Sequence, residues 1–263
     1  MPKFPDHPER RVAVVTGASS GIGAATVDVL AEHGHPVILG ARRLDRLEAH
    51  AERIRAAGGE AVALPLDLTD PSSIDAFADK AATALGPIDI VVSNAGVVDP
   101  ITGVGGDPTR FARSIQLNLV GAQQLIALLG PQLVEQGHGD IVFVTSDVVV
   151  RPRTHMAGYV AAKAGLEGLC RAIQMELEGT GVRAGMVRPG PSSTEQGTDW
   201  SEETILHVMP HWERWGLLRH NGALLPRNLA EAILAMVSAP KGCQLTLVEV
   251  EPEAPIQENR STS

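Results

Sequence analysis

The chain contains a single tyrosine, Tyr159, and Lys163 follows it four positions later in the segment GYVAAKAG (158–165). On a helix this spacing puts both side chains on one face. A phenol with its ordinary pKa near 10 is a poor base at neutral pH. A neighbouring ammonium favours the phenolate and lowers that value. The pair therefore suits proton transfer at a substrate oxygen, which both carbonyl reduction and alcohol oxidation require. Taken alone it is also an ordinary exposed helix contact worth about 0.2–0.5 kcal/mol. Its meaning depends on what else the chain supplies.

A second chemistry-bearing stretch is TGASSGIG (16–23), in which Gly17, Gly21 and Gly23 are spaced around Ser19, Ser20 and Ile22. It follows a β-branched run and opens a helical pattern. Glycines there permit a tight turn and close backbone approach, and the helix N-terminus offers N–H groups to a pyrophosphate. The next strand pattern ends in GARRLDRLE. A free ribose 2′-OH is usually held by an acidic residue at this point, whereas a 2′-phosphate calls for arginine. Arg42 and Arg43 stand there, and Asp45, the first carboxylate, reads as the cap of the following helix. NADP(H) is the expected cofactor, with Arg42 favoured over Arg43 for the phosphate. NAD becomes the reading if both arginines face solvent.

The elements that must hold these residues are legible as alternation. Strand patterns fall at 11–16, 36–41, 61–66, 88–93, 140–145, 182–187 and 244–250. Helical patterns fall near 22–34, 44–58, 71–85, 107–136, 157–179 and 227–238. Continuously apolar strands are expected where helices cover both faces of a parallel sheet. The alternation predicts an α/β fold, a single-domain Rossmann-type doubly wound parallel sheet of about seven strands with helices on both faces. Residues 1–10 read as an N-terminal extension, 11–250 as the catalytic domain and 251–263 as a polar tail.

Composition narrows the partners. The chain has 263 residues, 44% of them hydrophobic but only 3% aromatic, so small aliphatic residues must fill the core. A formal charge of −9 argues against nucleic acid. Cys170 and Cys243 read as two buried free thiols of a reducing compartment. The first eleven residues lack the apolar run of a secretory signal, and no stretch approaches roughly 18 uninterrupted apolar residues. A cytoplasmic protein without membrane partners is expected.

With these residues placed, the chain resembles the short-chain dehydrogenase/reductase family from about Arg11 to Val250. The resemblance rests on an ordered set: the glycine loop, LDLTD at 66–70, SNAG at 93–96, Asn118 in IQLNLVGA, Ser146, then Tyr159 and Lys163, then RPG at 188–190. It implies Tyr159 as acid/base, Lys163 as its electrostatic tuner, Ser146 on the substrate oxygen and Asn118 in a proton relay. It further implies Asp67, with Leu68, at the adenine; Asn94, Ala95 and Gly96 beside the adenosine; and Pro189, Gly190 and Thr194 at the nicotinamide. Tyr159 and Lys163 would also border the cofactor. Ser93 stands where the family commonly has asparagine, and Asp147 stands where small residues are usual. That carboxylate would repel an acidic substrate, pair with a basic substrate, or point away and cap the neighbouring turn. A homodimer or homotetramer, formed through the helices near 107–136 and 157–179, is likewise implied only by the resemblance.

Residues 190–226 break the strand–helix rhythm and carry all three tryptophans, Trp200, Trp212 and Trp215. Ile205, Val208, Met209, Trp212 and Trp215 recur at helical spacing. The segment reads either as a lid over a bulky apolar substrate or as a helix packed on the body. His207 and His211 share a metal-compatible i, i+4 spacing, but with no further ligand signature nearby no metal is expected. The function expected is NADP(H)-dependent interconversion of an alcohol and its ketone or aldehyde, with a lipophilic small-molecule substrate. The alternatives are an NAD-dependent alcohol dehydrogenase and a non-catalytic dinucleotide-sensing interaction protein.

Overall fold

The strands Val12–Thr16 (β1), Val37–Ala41 (β2), Ala61–Pro65 (β3), Ile88–Ser93 (β4), Gly139–Val144 (β5), Val182–Pro189 (β6) and Leu247–Val250 (β7) form one parallel sheet. Its order is β3-β2-β1-β4-β5-β6-β7. The computed structural model describes residues 6–195, 200–217 and 220–256. β1, β2, β4, β5 and β6 are buried along their whole length, as parallel strands are when both faces are covered.

The helices are Gly21–Glu32 (α1), Leu44–Ala56 (α2), Pro71–Ala84 (α3), Pro108–Ile115 (α4), Gly121–Gln136 (α5), Ala157–Glu176 (α6), Glu202–Arg214 (α7) and Pro226–Ser238 (α8). Alternate residues of β1 serve two cores. Val12 and Val14 pack with Phe77 of α3, Leu125 of α5 and Leu166 of α6. Ala13 and Val15 pack with Leu30 of α1, Leu47 of α2 and Ile233 of α8. The sheet is doubly wound, and the strand order reverses between β1 and β4. That reversal opens a crevice at the C-terminal ends of the strands.

Several expectations need correction. The pattern at 107–136 is not one regular helix: a π-helical turn, Gln116–Val120, separates α4 from α5. A Cβ on Gly121, at the start of α5, would lie 2.2 Å from the Leu68 carbonyl oxygen, so the helix can approach the β3–α3 loop only with glycine there. The same span, Pro108–Gln136, has no uninterrupted apolar run of roughly 18 residues, though by length and average composition it could cross a membrane. In the fold, its Leu125, Leu129 and Leu133 lie in the core. Asp45 does not cap α2; it sits in the first helical turn, where its charge complements the helix dipole. Cys170 is buried but Cys243 is exposed. The last strand starts at Leu247 rather than 244.

Candidate active site

The crevice is built first by the β1–α1 turn. Gly17 (φ 69°) and Gly21 (φ 57°) take left-handed backbone conformations that cost glycine little. A Cβ on Gly23 would lie 2.4 Å from the Gly17 carbonyl oxygen, and one on Gly17 would lie 2.8 Å from Ala95 Cα. Helices α3, α4 and α7 begin with side-chain caps from Asp70, Asp107 and Ser201. The N-terminus of α1 has neither a side-chain cap nor an acidic residue in its first turn. Its N–H groups are left for an anion. Thr16 fastens this loop to the end of β4: its Oγ1 accepts hydrogen bonds from the Asn94 and Ala95 N–H groups, each at 3.0 Å, and the Asn94 amide donates to the Thr16 carbonyl at 2.8 Å. Asn94 and Ala95 thus set the shape of the phosphate loop as well as flanking it.

Of the two arginines after β2, Arg43 reaches the loop. It donates to Ser19 Oγ at 3.0 and 3.1 Å and to Ser20 Oγ at 2.6 Å. Glu195 holds it from the other side at 2.9 Å and also pairs with Arg46 at 2.9 Å. Arg42 is exposed and acts electrostatically on Asp67. Burial alone would raise the Asp67 pKa, but the N–H and O–H of Thr69 and the charges of Arg42 and Arg113 outweigh it and bring the carboxyl below its ordinary range. A Cβ on Gly21 would touch the Thr194 side chain at 3.4 Å, so Thr194 lies beside the phosphate loop.

Tyr159, Lys163, Asn118 and Ser146 gather on the other side of the crevice. Gly158 packs on Ser114 and Gly165 on Leu119, close enough that a Cβ on either would lie within 2.9 Å of a neighbour. These glycines let α6 approach α4 and the π-helical turn. Tyr159 is 6% exposed and clusters with Val148 and Met156, with Val98 and Trp212 packed against them. Lys163 is also buried, its Nζ 5.7 Å from the centre of the Tyr159 ring and donating to the Val144 carbonyl at 2.7 Å. Burial lowers its pKa to about 8. Lys163 still carries its charge at neutral pH.

Asn118, in the π-helical turn, clamps the loop after β4. Its Nδ2 donates to the Val97 and Ser114 carbonyls, and its Oδ1 accepts from the Val97 N–H at 3.0 Å. A Cβ on Gly96 would lie 3.0 Å from Asn118 Oδ1 and 3.4 Å from Lys163 Nζ, so Gly96 is the residue that fits between them. Ser146 caps the short 3-10 turn Asp147–Val149, and its hydroxyl donates to Asp147 Oδ1 at 3.3 Å. Asp147 does not confront the crevice as an unpaired charge. Arg153 holds both of its oxygens, at 2.9 and 2.6 Å, and lies 5.9 Å from the centre of the Trp212 ring.

At the end of β6, Arg188 makes a two-pronged pair with Glu167, one turn beyond Lys163, at 2.9 and 2.8 Å. Glu167 also accepts from Thr145. Pro189 and Gly190 are thereby tied to the helix that carries Tyr159 and Lys163. A Cβ on Gly190 would lie 2.7 Å from Glu251 of the tail. The lid segment departs from its expected pattern. Val208 is buried and Met209, Trp212 and Trp200 are half-buried, but Ile205 and Trp215 are exposed, the latter at 64%. Trp215 is therefore not part of the inward face. Residues 196–199 and 218–219 of the lid, and 257–263 of the tail, lie outside the described residues.

Sequence reasoning gave no role to Thr16, Arg46 or Arg188, although each lies inside a quoted motif, and passed over Arg153, His155, Glu167 and Glu195. Glu167 and Arg188 had a usable signal, being charges inside otherwise apolar segments. Glu195 and His155 had none.

A doubly wound parallel sheet with a glycine-rich β1–α1 turn at its switch point defines a Rossmann-type protein. The chain belongs to the short chain dehydrogenase family, which it matches over residues 11–204. It is 32% identical over 243 residues to the glycine betaine reductase ATRR of Emericella nidulans, covering 92% of this chain but only 19% of that protein. It is 37% identical over 191 residues to cis-4-hydroxycyclohexanecarboxylate dehydrogenase of Sinomonas cyclohexanicum, covering 70% of this chain and 74% of the relative. In structure it is similar to the alcohol dehydrogenase of Thermococcus sibiricus solved with 5-hydroxy-NADP. The TM-score is 0.80 and the identity 30%, over 95% of this chain and all of the other. The chain is an oxidoreductase of this family.

Proposed function

We propose that the protein is an NADP(H)-dependent oxidoreductase that interconverts an alcohol and its ketone or aldehyde. The observation that carries this reading is the buried Lys163 ammonium set 5.7 Å from the centre of the only tyrosine ring. A plain surface helix pair would be solvated; this one is enclosed with an apolar cluster on the crevice side. The glycine cradle and the uncapped α1 N-terminus fit a dinucleotide pyrophosphate. When bound, NADP(H) supplies or accepts the hydride. Tyr159 gives a proton to the developing alkoxide in reduction and takes it from the alcohol in oxidation. Lys163 favours the phenolate by its charge. Ser146 hydrogen-bonds the substrate oxygen and stabilises negative charge there. Asn118 fixes the loop that borders the cofactor and supports proton relay. The apolar side chains around Tyr159, with Trp200 and Trp212 of the lid, favour a lipophilic substrate.

NADP preference is supported by Arg43 on the serines of the phosphate loop, by the lack of a carboxylate at positions 42 and 43, and by the NADP derivative bound to the Thermococcus enzyme. One observation favours NAD instead: Glu195 already pairs with Arg43 and Arg46. Titration with NADPH and NADH, followed by tryptophan fluorescence and calorimetry, separates the readings. NADPH preference of tenfold or more, lost in Arg43→Ala, supports the first; equal or tighter NADH binding supports the second. Tyr159→Phe separates an enzyme from a dinucleotide sensor. It should lower turnover of lipophilic ketones by about 100-fold or more while leaving NADPH affinity unchanged. A wild type that binds NADPH yet transfers hydride to no carbonyl across such a panel leaves the sensor.

A further inference from the structure

Three histidines with no part in hydride transfer meet where the lid helix rests on the body. His207 and His211 lie one turn apart on α7. His155 lies 52 positions before His207, in the loop that leads into α6 and Tyr159. Their ligand-capable nitrogens all lie within 4.8 Å of one another. The His155 ring centre is 4.9 Å from each of the other two. These are three nitrogen donors converging from two separate segments.

The His155 side of the cluster is fixed in place. Trp212 Nε1 donates to the Thr154 carbonyl at 2.9 Å, and the Ala157 N–H donates to Ile101 at 3.0 Å, so the residues on either side of His155 are both anchored. His155 has φ 61°, and among the described residues it is the one non-glycine with positive φ. Histidine tolerates that conformation better than most side chains. Its Nδ1 is buried without a hydrogen-bond partner, a costly arrangement unless another atom satisfies the lone pair or proton. Burial, and then the proximity of His207 and His211, push its pKa below the ordinary histidine value.

We propose that His155, His207 and His211 form a binding site for one zinc-class divalent ion that fastens the lid helix to the catalytic body. Three imidazoles and one exchangeable ligand make a tetrahedral set. With Zn–N distances of about 2.0–2.1 Å the nitrogens must close to about 3.3 Å apart, which side-chain rotation on α7 supplies. The next residue on α7 after His211 is Trp212, which packs against the Tyr159 cluster. An ion at this site holds that tryptophan over the crevice and slows lid opening. The site rests on the lid contact alone and does not depend on which cofactor or substrate is used.

The test uses tag-free full-length protein stripped with chelator. Zn²⁺ is titrated by calorimetry, and Co²⁺ by visible absorption and tryptophan quenching. The expected result is one ion per chain with micromolar or tighter affinity, a tetrahedral Co²⁺ spectrum and quenching from Trp212. Zn²⁺ should also raise the thermal midpoint of the wild type. His155→Asn, chosen because asparagine tolerates the left-handed backbone, should weaken binding at least tenfold, as should His207→Gln. If His155→Asn does not fold, His207→Gln and His211→Gln on the lid surface carry the test. No stoichiometric binding at 100-fold excess of Zn²⁺ overturns the proposal. Binding that survives all three substitutions also overturns it, because the ion then lies elsewhere.

Discussion

Lys163 is an ammonium held where water does not reach, and its consequences for stability and catalysis have opposite signs. Its pKa lies near 8 in the fold against an ordinary value of 10.5. Between those values the unfolded chain binds more protons, so stability rises with pH across this window. Below pH 8 the full burial penalty applies, on the order of 3 kcal/mol, offset by about 1 kcal/mol from its hydrogen bond to Val144. Lys163→Met should therefore raise the urea midpoint at pH 7, and the gain should shrink toward pH 10. The same variant should lose most of its turnover. Denaturation at three pH values beside a rate assay checks both. A variant destabilised at pH 7 would show that the hydrogen bond, and not the burial, dominates. Asp147 illustrates the reverse case: a carboxylate beside Ser146 stays buried because Arg153 grips both of its oxygens.

At the scale of elements, two glutamates couple segments that share little sequence proximity. Glu167 of α6 and Arg188 of β6 are each less than 10% exposed and pair at 2.8 Å. A buried charge left alone typically costs about 3–5 kcal/mol, but Arg188 also pairs with the partly exposed Glu249 at 3.2 Å. Glu167→Gln should therefore lower stability in urea unfolding by less than that amount. It should also weaken nicotinamide-cofactor binding, because Pro189 and Gly190 follow Arg188 directly. Glu195 is the opposite kind of partner, exposed and exchangeable, pairing the start of the lid segment with Arg43 and Arg46. A 2′-phosphate arriving at Arg43 must displace it. Glu195→Gln should tighten NADPH binding a few-fold, change NADH binding little and leave the thermal midpoint in place. Calorimetry with both cofactors reads this directly, and equal effects on the two would remove Glu195 from the phosphate site.

For the whole molecule, the apolar residues left on the surface are unevenly placed. Phe111, Val120, Leu128 and Val134 of the α4–α5 span are each at least 36% exposed although the other side of that span is core. A second copy covering this face would account for the apolar composition of the span without a membrane. Light scattering should give a dimer or tetramer, and Leu128→Glu with Val134→Glu should shift it toward monomer; an unchanged mass would place any interface elsewhere.

The doubly wound sheet, the glycine turn and the order Ser146, Tyr159, Lys163 were determined by the sequence itself. Strand and helix periods, turn glycines and i, i+4 spacing are local properties that a few residues express without help from distant ones. The π-helical turn was not legible, since the contacts made around it, Gly121 against Leu68 and Asn118 on Val97, are with segments distant in sequence. Nor was it legible that Arg43 and not Arg42 bonds to Ser19 and Ser20, because the β2–α2 and β1–α1 loops meet only in the folded sheet. Only the tertiary structure enclosed Lys163, neutralised Asp147, turned Trp215 outward and brought His155 to His207 and His211. Each of these depends on which remote segments the chain folds together, and burial and charge pairing act through space whatever the separation along the chain.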